Sequence, residues 1–159
     1  MNLMGQVCAR NELLRLREEW RVQRKTVVFT NGCYDILHPG HIQLLEAARS
    51  LGDVLIVGLN SDASVRRAKG ASRPINAESE RATLMASLAA VDAVTVFDED
   101  TPRALIDALL PDVLVKGADW AHFVAGREEV EASGGRVELV PLAQAPSTTV
   151  ILDKILQTP

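Results

Sequence analysis

The sequence is poor in the features that mark several large classes of protein. Two cysteines, Cys8 and Cys33, in 159 residues are too few for a disulfide framework, and no second pair supplies the spacing of a zinc site, so a reducing compartment is expected. Aromatic residues make up 4%, and no long basic run stands out among 17 basic and 21 acidic side chains with a net charge of -4. That balance argues against bulk nucleic-acid binding through a phosphate-neutralising surface; any phosphate contact must be local. Apolar stretches such as Val54-Leu55-Ile56-Val57 fall far short of the roughly 18 residues a membrane span requires. The first segment carries Arg10, Glu12, Arg15 and Arg17 where a signal peptide would be apolar. A soluble cytoplasmic protein with neither a membrane nor a nucleic-acid partner is expected. Neither GxxxxGK[ST] nor GxGxxG occurs, which removes the main support for P-loop phosphoryl transfer and for ordinary dinucleotide binding.

What the sequence does hold is an alternation. From Thr26 onward, short β-branched runs alternate with longer segments of helical periodicity, the pattern of a parallel sheet covered on both faces. The runs Thr26 to Thr30, Asp53 to Leu59, Ala93 to Phe97, Asp112 to Val115 and Arg136 to Val140 predict a five-stranded parallel sheet in a three-layer, Rossmann-like α/β fold. Helices are expected over Gly40 to Leu51, from Asn76 to Ala90, from Thr101-Pro102 to Leu110, from near Phe123 to Gly134-Gly135, and after Ser147, where caps and stops fall in place. Residues 1–25 read as a helical extension, with Leu13, Leu14, Leu16 and Trp20 forming an amphipathic stripe between Asn11 and Arg24 that covers the core or a second subunit. Residues 26–159 read as one domain, and a homodimer or higher homo-oligomer is allowed.

In such sheets ligands bind beyond the carboxyl ends of the strands. The densest polar constellation sits there: Thr30-Asn31-Gly32-Cys33-Tyr34-Asp35-Ile36-Leu37-His38-Pro39-Gly40-His41 runs from a strand end into a helix. His38 and His41 fall on one side of its first turn, beside unpaired backbone N–H groups and the positive end of the dipole, where an anion belongs. Gly32 and Gly40 leave room for close backbone approach. A metal reading would need Cys33 or Asp35 to join the histidines, without a settled set of three or four ligands.

The segment TNGCYDILHPGH resembles the HxGH signature of the cytidylyltransferase-like nucleotidyltransferases. Further along, NSDASVRRAKG, SRPI with ESER, VDAV with FDEDTP, PDVLVKGADW and STTVI resemble the adenylyltransferase domain of bacterial ADP-heptose synthesis, a likeness that spans about Val27 to Gln157. This resemblance implies transfer of AMP from ATP to D-glycero-β-D-manno-heptose 1-phosphate with release of pyrophosphate, and magnesium bridging the phosphates. It implies that His38 and His41 contact the triphosphate, with His41 placed to stabilise charge developing at the α-phosphate. Thr30, Asn31, Gly32 and Tyr34 join them as nucleotide or phosphate contacts by the same resemblance, and the metal ligands stay unassigned. Relatives of this kind occur alone or fused to a sugar kinase, for which this chain has no room.

The remaining candidates follow other strands. Asn60-Ser61-Asp62 reads as a turn cluster bonding its own backbone, although the family pattern makes Asp62 a site residue. Lys69 with Gly70, and Arg73 with Pro74, are expected in a short basic loop that counters phosphate charge. Asp35 could orient a phosphate-binding group, hold magnesium or face the sugar phosphate; Glu78 and Arg81 read as a local ion pair. Lys116, Gly117, Asp119 and Trp120 resemble the family's nucleotide-side loop, and Ser147, Thr148 and Thr149 could cap the last helix and bind phosphate together. Two departures from the family pattern stand out. Cys33 takes the place of a common threonine, which the heptose branch shares, and the final helix carries Leu152 and Lys154 in place of an arginine.

Overall fold

The computed structural model describes residues 5–142 and 146–158. In chain order its elements are β1 (Gln6–Val7), α1 (Arg10–Val22), β2 (Val27–Gly32), α2 (Pro39–Arg49), β3 (Val54–Asn60), α3 (Asp62–Lys69), α4 (Glu78–Ala86), β4 (Ala93–Phe97), α5 (Arg103–Leu109), β5 (Val113–Gly117), a 3-10 turn at Ala118–Trp120, α6 (Arg127–Ala132), β6 (Arg136–Val140) and α7 (Thr148–Leu156). The strands form one sheet in the order β1-β4-β3-β2-β5-β6, every pair parallel. Alternate residues along each strand face opposite layers. Val27, Phe29, Val54, Ile56 and Leu114 pack against Leu13 of α1, Leu105, Ile106 and Leu109 of α5 and Val130 of α6. Val28, Leu55, Val57, Val113 and Val115 pack against Leu45 of α2 and Ala82, Met85 and Ala86 of α4. No helix among the described residues is long and apolar enough to cross a membrane.

The α/β architecture agrees with the expected one, and the sheet has six strands rather than five. The addition is β1, whose two residues pair with Ala93 and Val94 at the edge, too short to show an alternating pattern of its own. Several boundaries also differ. α4 ends at Ala86 rather than Ala90, and α6 begins at Arg127 rather than near Phe123. The segment read as a turn plus a basic loop is largely α3. Ser61 Oγ caps it by accepting from Ser64 N at 3.0 Å, and the side chains that favour turns are also those that favour helix caps.

The stripe on α1 covers this chain's own core: Leu14, Leu16 and Trp20 lie against the α5 face of the sheet. Arg17, 4% exposed, locks the helix down. Its guanidinium donates to Leu109 O (3.1 Å), Leu110 O (2.8 Å) and Asp112 Oδ1 (3.3 Å), capping the carbonyl end of α5 where the dipole favours a cation. Arg17→Met strips the Leu109 and Leu110 carbonyls of this donor, and is expected to destabilise the protein by about 3 kcal/mol in denaturant titration. A loss below about 1 kcal/mol would show that the cap is dispensable.

Candidate active site

The strand order places a topological switch at β2. The chain leaves it toward β3 and β4 on one side and returns to β5 and β6 on the other, and the carboxyl ends of β2 and β5 are where an open α/β sheet of this order forms its ligand crevice. These two strands pair at Val28 with Val113 and at Phe29 with Leu114. Beyond that point side chains bridge the gap. Thr30 Oγ1 donates to Val115 O at 2.9 Å, and Lys116 Nζ donates to Asn31 Oδ1 at 3.2 Å.

The histidine segment turns over this crevice. His38 is the N-cap of α2, with extended backbone that the following Pro39 favours. Its Nδ1 accepts from Gly40 N at 3.2 Å, and its own N–H is donated to His41 Nδ1 at 3.3 Å. The rings stack with centroids 3.7 Å apart, and the Tyr34 ring meets the edge of His41 at 5.1 Å. An imidazole whose Nδ1 accepts carries its proton on Nε2, so both rings are held as neutral donors. Burial lowers the pKa of His41 to about 4, helped by electrostatic coupling to the neighbouring His38 and Lys69. Burial also lowers that of His38. Close stacking makes the protonated form of either ring costly, and each keeps an Nε2–H to offer an anion.

Lys116 is the second element. Its ammonium lies 5.4 Å above the Trp120 ring and is shielded enough that desolvation lowers its pKa, against the opposing pull of Asp119. No carboxylate comes within ion-pair distance of it among the described residues, and Asn31 is the one hydrogen-bond partner found for it there. A shielded cation with unused donors is a receptor for an anion. Trp120, 49% exposed, stacks on His122 with centroids 5.9 Å apart, giving the β5 side a flat wall. Lys69 ends α3 and is exposed, close enough to His41 to bias its titration. Thr148 Oγ1 donates to Ile36 O at 3.0 Å, tying the start of α7 to the histidine segment, while Ser147 Oγ accepts from Val150 N at 3.3 Å as the helix cap. Thr149 is exposed.

Other candidates support the site from beneath or beside it. Thr30 and Tyr34 are buried, so their side chains are not at the crevice surface. The space left by Gly32 is filled by the Tyr34 ring, and the space at Gly117 by the Asp119 carboxylate. Asp35, 2% exposed, is fully engaged. Its carboxylate accepts from Arg73 Nε (2.7 Å), Ile75 N (2.9 Å) and Asn76 N (2.9 Å), which together hold it ionised against the cost of burial. This makes Asp35 the clamp of the 70–77 loop, to which Arg73 gives its Nε–H. Asp62 Oδ1 accepts from Arg81 Nη2 at 2.8 Å. The expected Glu78–Arg81 pair is not formed, because Glu78 Oε2 accepts from Asp62 N at 2.8 Å and Arg81 turns inward. Arg81 and His122 are the neighbours of the site that sequence reading missed. Arg81 lies one helical turn before the core residue Met85, a charge on the buried stripe, and that spacing was the available signal.

A depression of about 820 Å³ at the end of β4, lined by Arg10, Arg67, Val96, Phe97, Asp98, Glu99 and Asp100, is not part of this constellation. Its charges are spent on one another, Arg10 with Glu99 at 2.7 Å and Arg67 with Asp100 at 2.8 Å.

A family model described as cytidylyltransferase-like matches residues 29–154, which include the whole histidine turn, the crevice and most of α7. The chain belongs to the cytidylyltransferase-like family. Among curated relatives of this family member, the bifunctional protein HldE of Syntrophotalea carbinolica is 56% identical over 151 residues, covering 90% of this chain and 31% of the relative. That of Koribacter versatilis is 55% identical over 94% of this chain and 31% of the relative. The chain thus spans less than a third of the length of these curated relatives. Among solved structures, a lipopolysaccharide core biosynthesis protein from Thermoplasma volcanium superposes with TM-score 0.61 at 30% identity, covering 76% of this chain and 98% of the other. A pantoate-beta-alanine ligase from Francisella tularensis gives TM-score 0.65 at 16% identity, over 89% of this chain and 69% of that one, a likeness of fold alone.

Proposed function

We propose that this cytidylyltransferase-like domain transfers AMP from ATP to D-glycero-β-D-manno-heptose 1-phosphate, producing ADP-heptose and pyrophosphate. The observation that supports it most is the stacked pair of neutral imidazoles at the turn after β2, with Lys116 on the neighbouring β5 free of any carboxylate in ion-pair reach among the described residues. The choice of acceptor rests on similarity to the HldE proteins and on the sequence motifs that resemble the adenylyltransferase domain of ADP-heptose synthesis.

The chemistry asks for little beyond position and charge. An oxygen of the sugar phosphate, already anionic, attacks the α-phosphorus of ATP. The bond from that phosphorus to the bridging oxygen of the β-phosphate breaks, and pyrophosphate leaves with the electron pair. No general base is needed. His38 and His41 donate Nε2–H to phosphate oxygens, His41 toward the α-phosphate whose charge builds up in the transition state. Lys116 and Lys69 balance the remaining negative charge, and Trp120 with His122 forms the wall beside the nucleoside.

Magnesium fits this site as a companion of the triphosphate. No cluster of three or more His, Cys, Asp or Glu suited to a metal occurs among the described residues, and Mg²⁺ is commonly held by phosphates, waters and one or two carboxylates. With Asp35 engaged, Asp119 near Lys116 is a carboxylate that would hold it. The ion would supply charge neutralisation to the phosphates.

Pyrophosphate release, assayed over ATP and CTP crossed with heptose 1-phosphate, glycerol phosphate and phosphoethanolamine, tests the assignment. The expected result is release with ATP and heptose 1-phosphate at least tenfold above every other pair. Release with CTP and an alcohol phosphate, but none with the first pair, would reassign the acceptor. Nucleotide binding without release in any pair would make the protein a nucleotide-binding regulator.

A further inference from the structure

β2 and β3 run in register as far as Gly32 and Leu59. The next rung would join Cys33 to Asn60, but there the chains part, one entering the histidine turn and the other α3. The Arg81 guanidinium fills this place. Nη1 donates to Cys33 O at 2.7 Å and to Asn60 O at 2.8 Å, Nη2 to Asp62 Oδ1 at 2.8 Å, and Nε to Asn76 O at 3.0 Å. Arg81 has no exposed surface. One planar fork thus ties together the histidine turn, the end of β3, the start of α3 and the loop before α4. Asn76 closes the circuit, donating its backbone N–H to Asp35 Oδ1 and its Nδ2 to Asp35 O.

A buried ion pair is weak evidence for stability, since well-packed apolar replacements are often neutral or better. What a guanidinium offers that an apolar chain or a lysine does not is a rigid set of donors that fixes the spacing of several acceptors at once.

We propose that Arg81 is a positioning residue for nucleotidyl transfer: its fork replaces the missing rung between β2 and β3 and sets the height of the Cys33–His38 turn, so that His38 and His41 meet the phosphates. It deepens the reading of the site given above and rests on it. Arg81 touches no substrate and acts through the carbonyl of Cys33.

The test is Arg81→Lys, which keeps the charge and loses the fork, read by imidazole ¹⁵N NMR of the free protein and by kcat and KM for ATP. In the parent protein His41 is expected to stay in its neutral Nε2–H form until the pH nears about 4. In the folded variant, in which the titratable groups facing His41, namely His38 and Lys69, are unchanged, a loosened turn admits water. The His41 midpoint then moves up by at least one pH unit, and kcat/KM for ATP falls at least tenfold. A folded variant with the parent His41 titration overturns the proposal, whatever its activity. Should Arg81→Lys fail to fold, Asp62→Ala releases one arm of the fork, and an unchanged His41 titration in that variant overturns it equally. The NMR arm uses no sugar phosphate, so it decides the role of Arg81 even where the acceptor assignment fails.

Discussion

His41→Ala is expected to lower turnover about 100- to 1,000-fold while the protein stays folded, a loss of roughly 2.7–4 kcal/mol of transition-state stabilisation. The effect is large because the ring is already oriented. Its Nδ1 is held by the backbone N–H of His38, its face by the His38 ring and its edge by Tyr34, so Nε2–H needs no reorganisation as charge develops. The variant removes a second property as well. With a native pKa near 4 against an unfolded value of about 6.5, His41 binds a proton in the unfolded chain that the native protein refuses. Native stability from this source is therefore full above about pH 6.5 and is lost as the pH falls toward 4. Denaturant titrations across that window should slope less in the variant than in the parent. Turnover near the parent level at saturating ATP and magnesium would remove His41 from the chemistry.

Lys116→Met is expected to act on binding in the opposite sense to its effect on stability. The ammonium is shielded with one hydrogen-bond partner found among the described residues, Asn31, and no carboxylate in ion-pair reach there, so the free protein bears a desolvation cost that methionine avoids. The melting temperature should hold or rise. Affinity for a non-hydrolysable ATP analogue, by calorimetry, should fall about 10- to 100-fold, the worth of a charge-assisted contact to phosphate. An unchanged affinity would mean that the cation faces something other than the nucleotide. A fall in both stability and affinity would make Lys116 a structural bridge between β2 and β5.

The sheet was legible because its strands are short, apolar and regularly spaced, and a parallel sheet covered on both faces leaves that trace in almost any sequence. The histidine turn was legible because Pro39 and Gly40 mark a helix start just after a strand, and two imidazoles at that place have few structural uses. Other features were hidden for physical reasons. β1 has two residues and no alternation to read. α3, DASVRRAK, has one buried apolar side chain, Val65, so its periodicity is faint and the polar cluster at its start reads as a turn. The partners of Asp35 and Arg81 lie in other segments. Asp35 meets the 73–76 stretch and Arg81 meets Cys33, Asn60 and Asp62, contacts that only the fold brings together. A charge on a core stripe signals that it is paired, but not with what.

The most direct test of the account is a crystal structure of the protein with ADP-heptose bound. The prediction is that the phosphates lie in the crevice between β2 and β5, with oxygens within hydrogen-bonding distance of His38 Nε2, His41 Nε2 and Lys116 Nζ. Phosphates seated elsewhere, with both imidazoles turned from the ligand or caged around a metal ion, would contradict it.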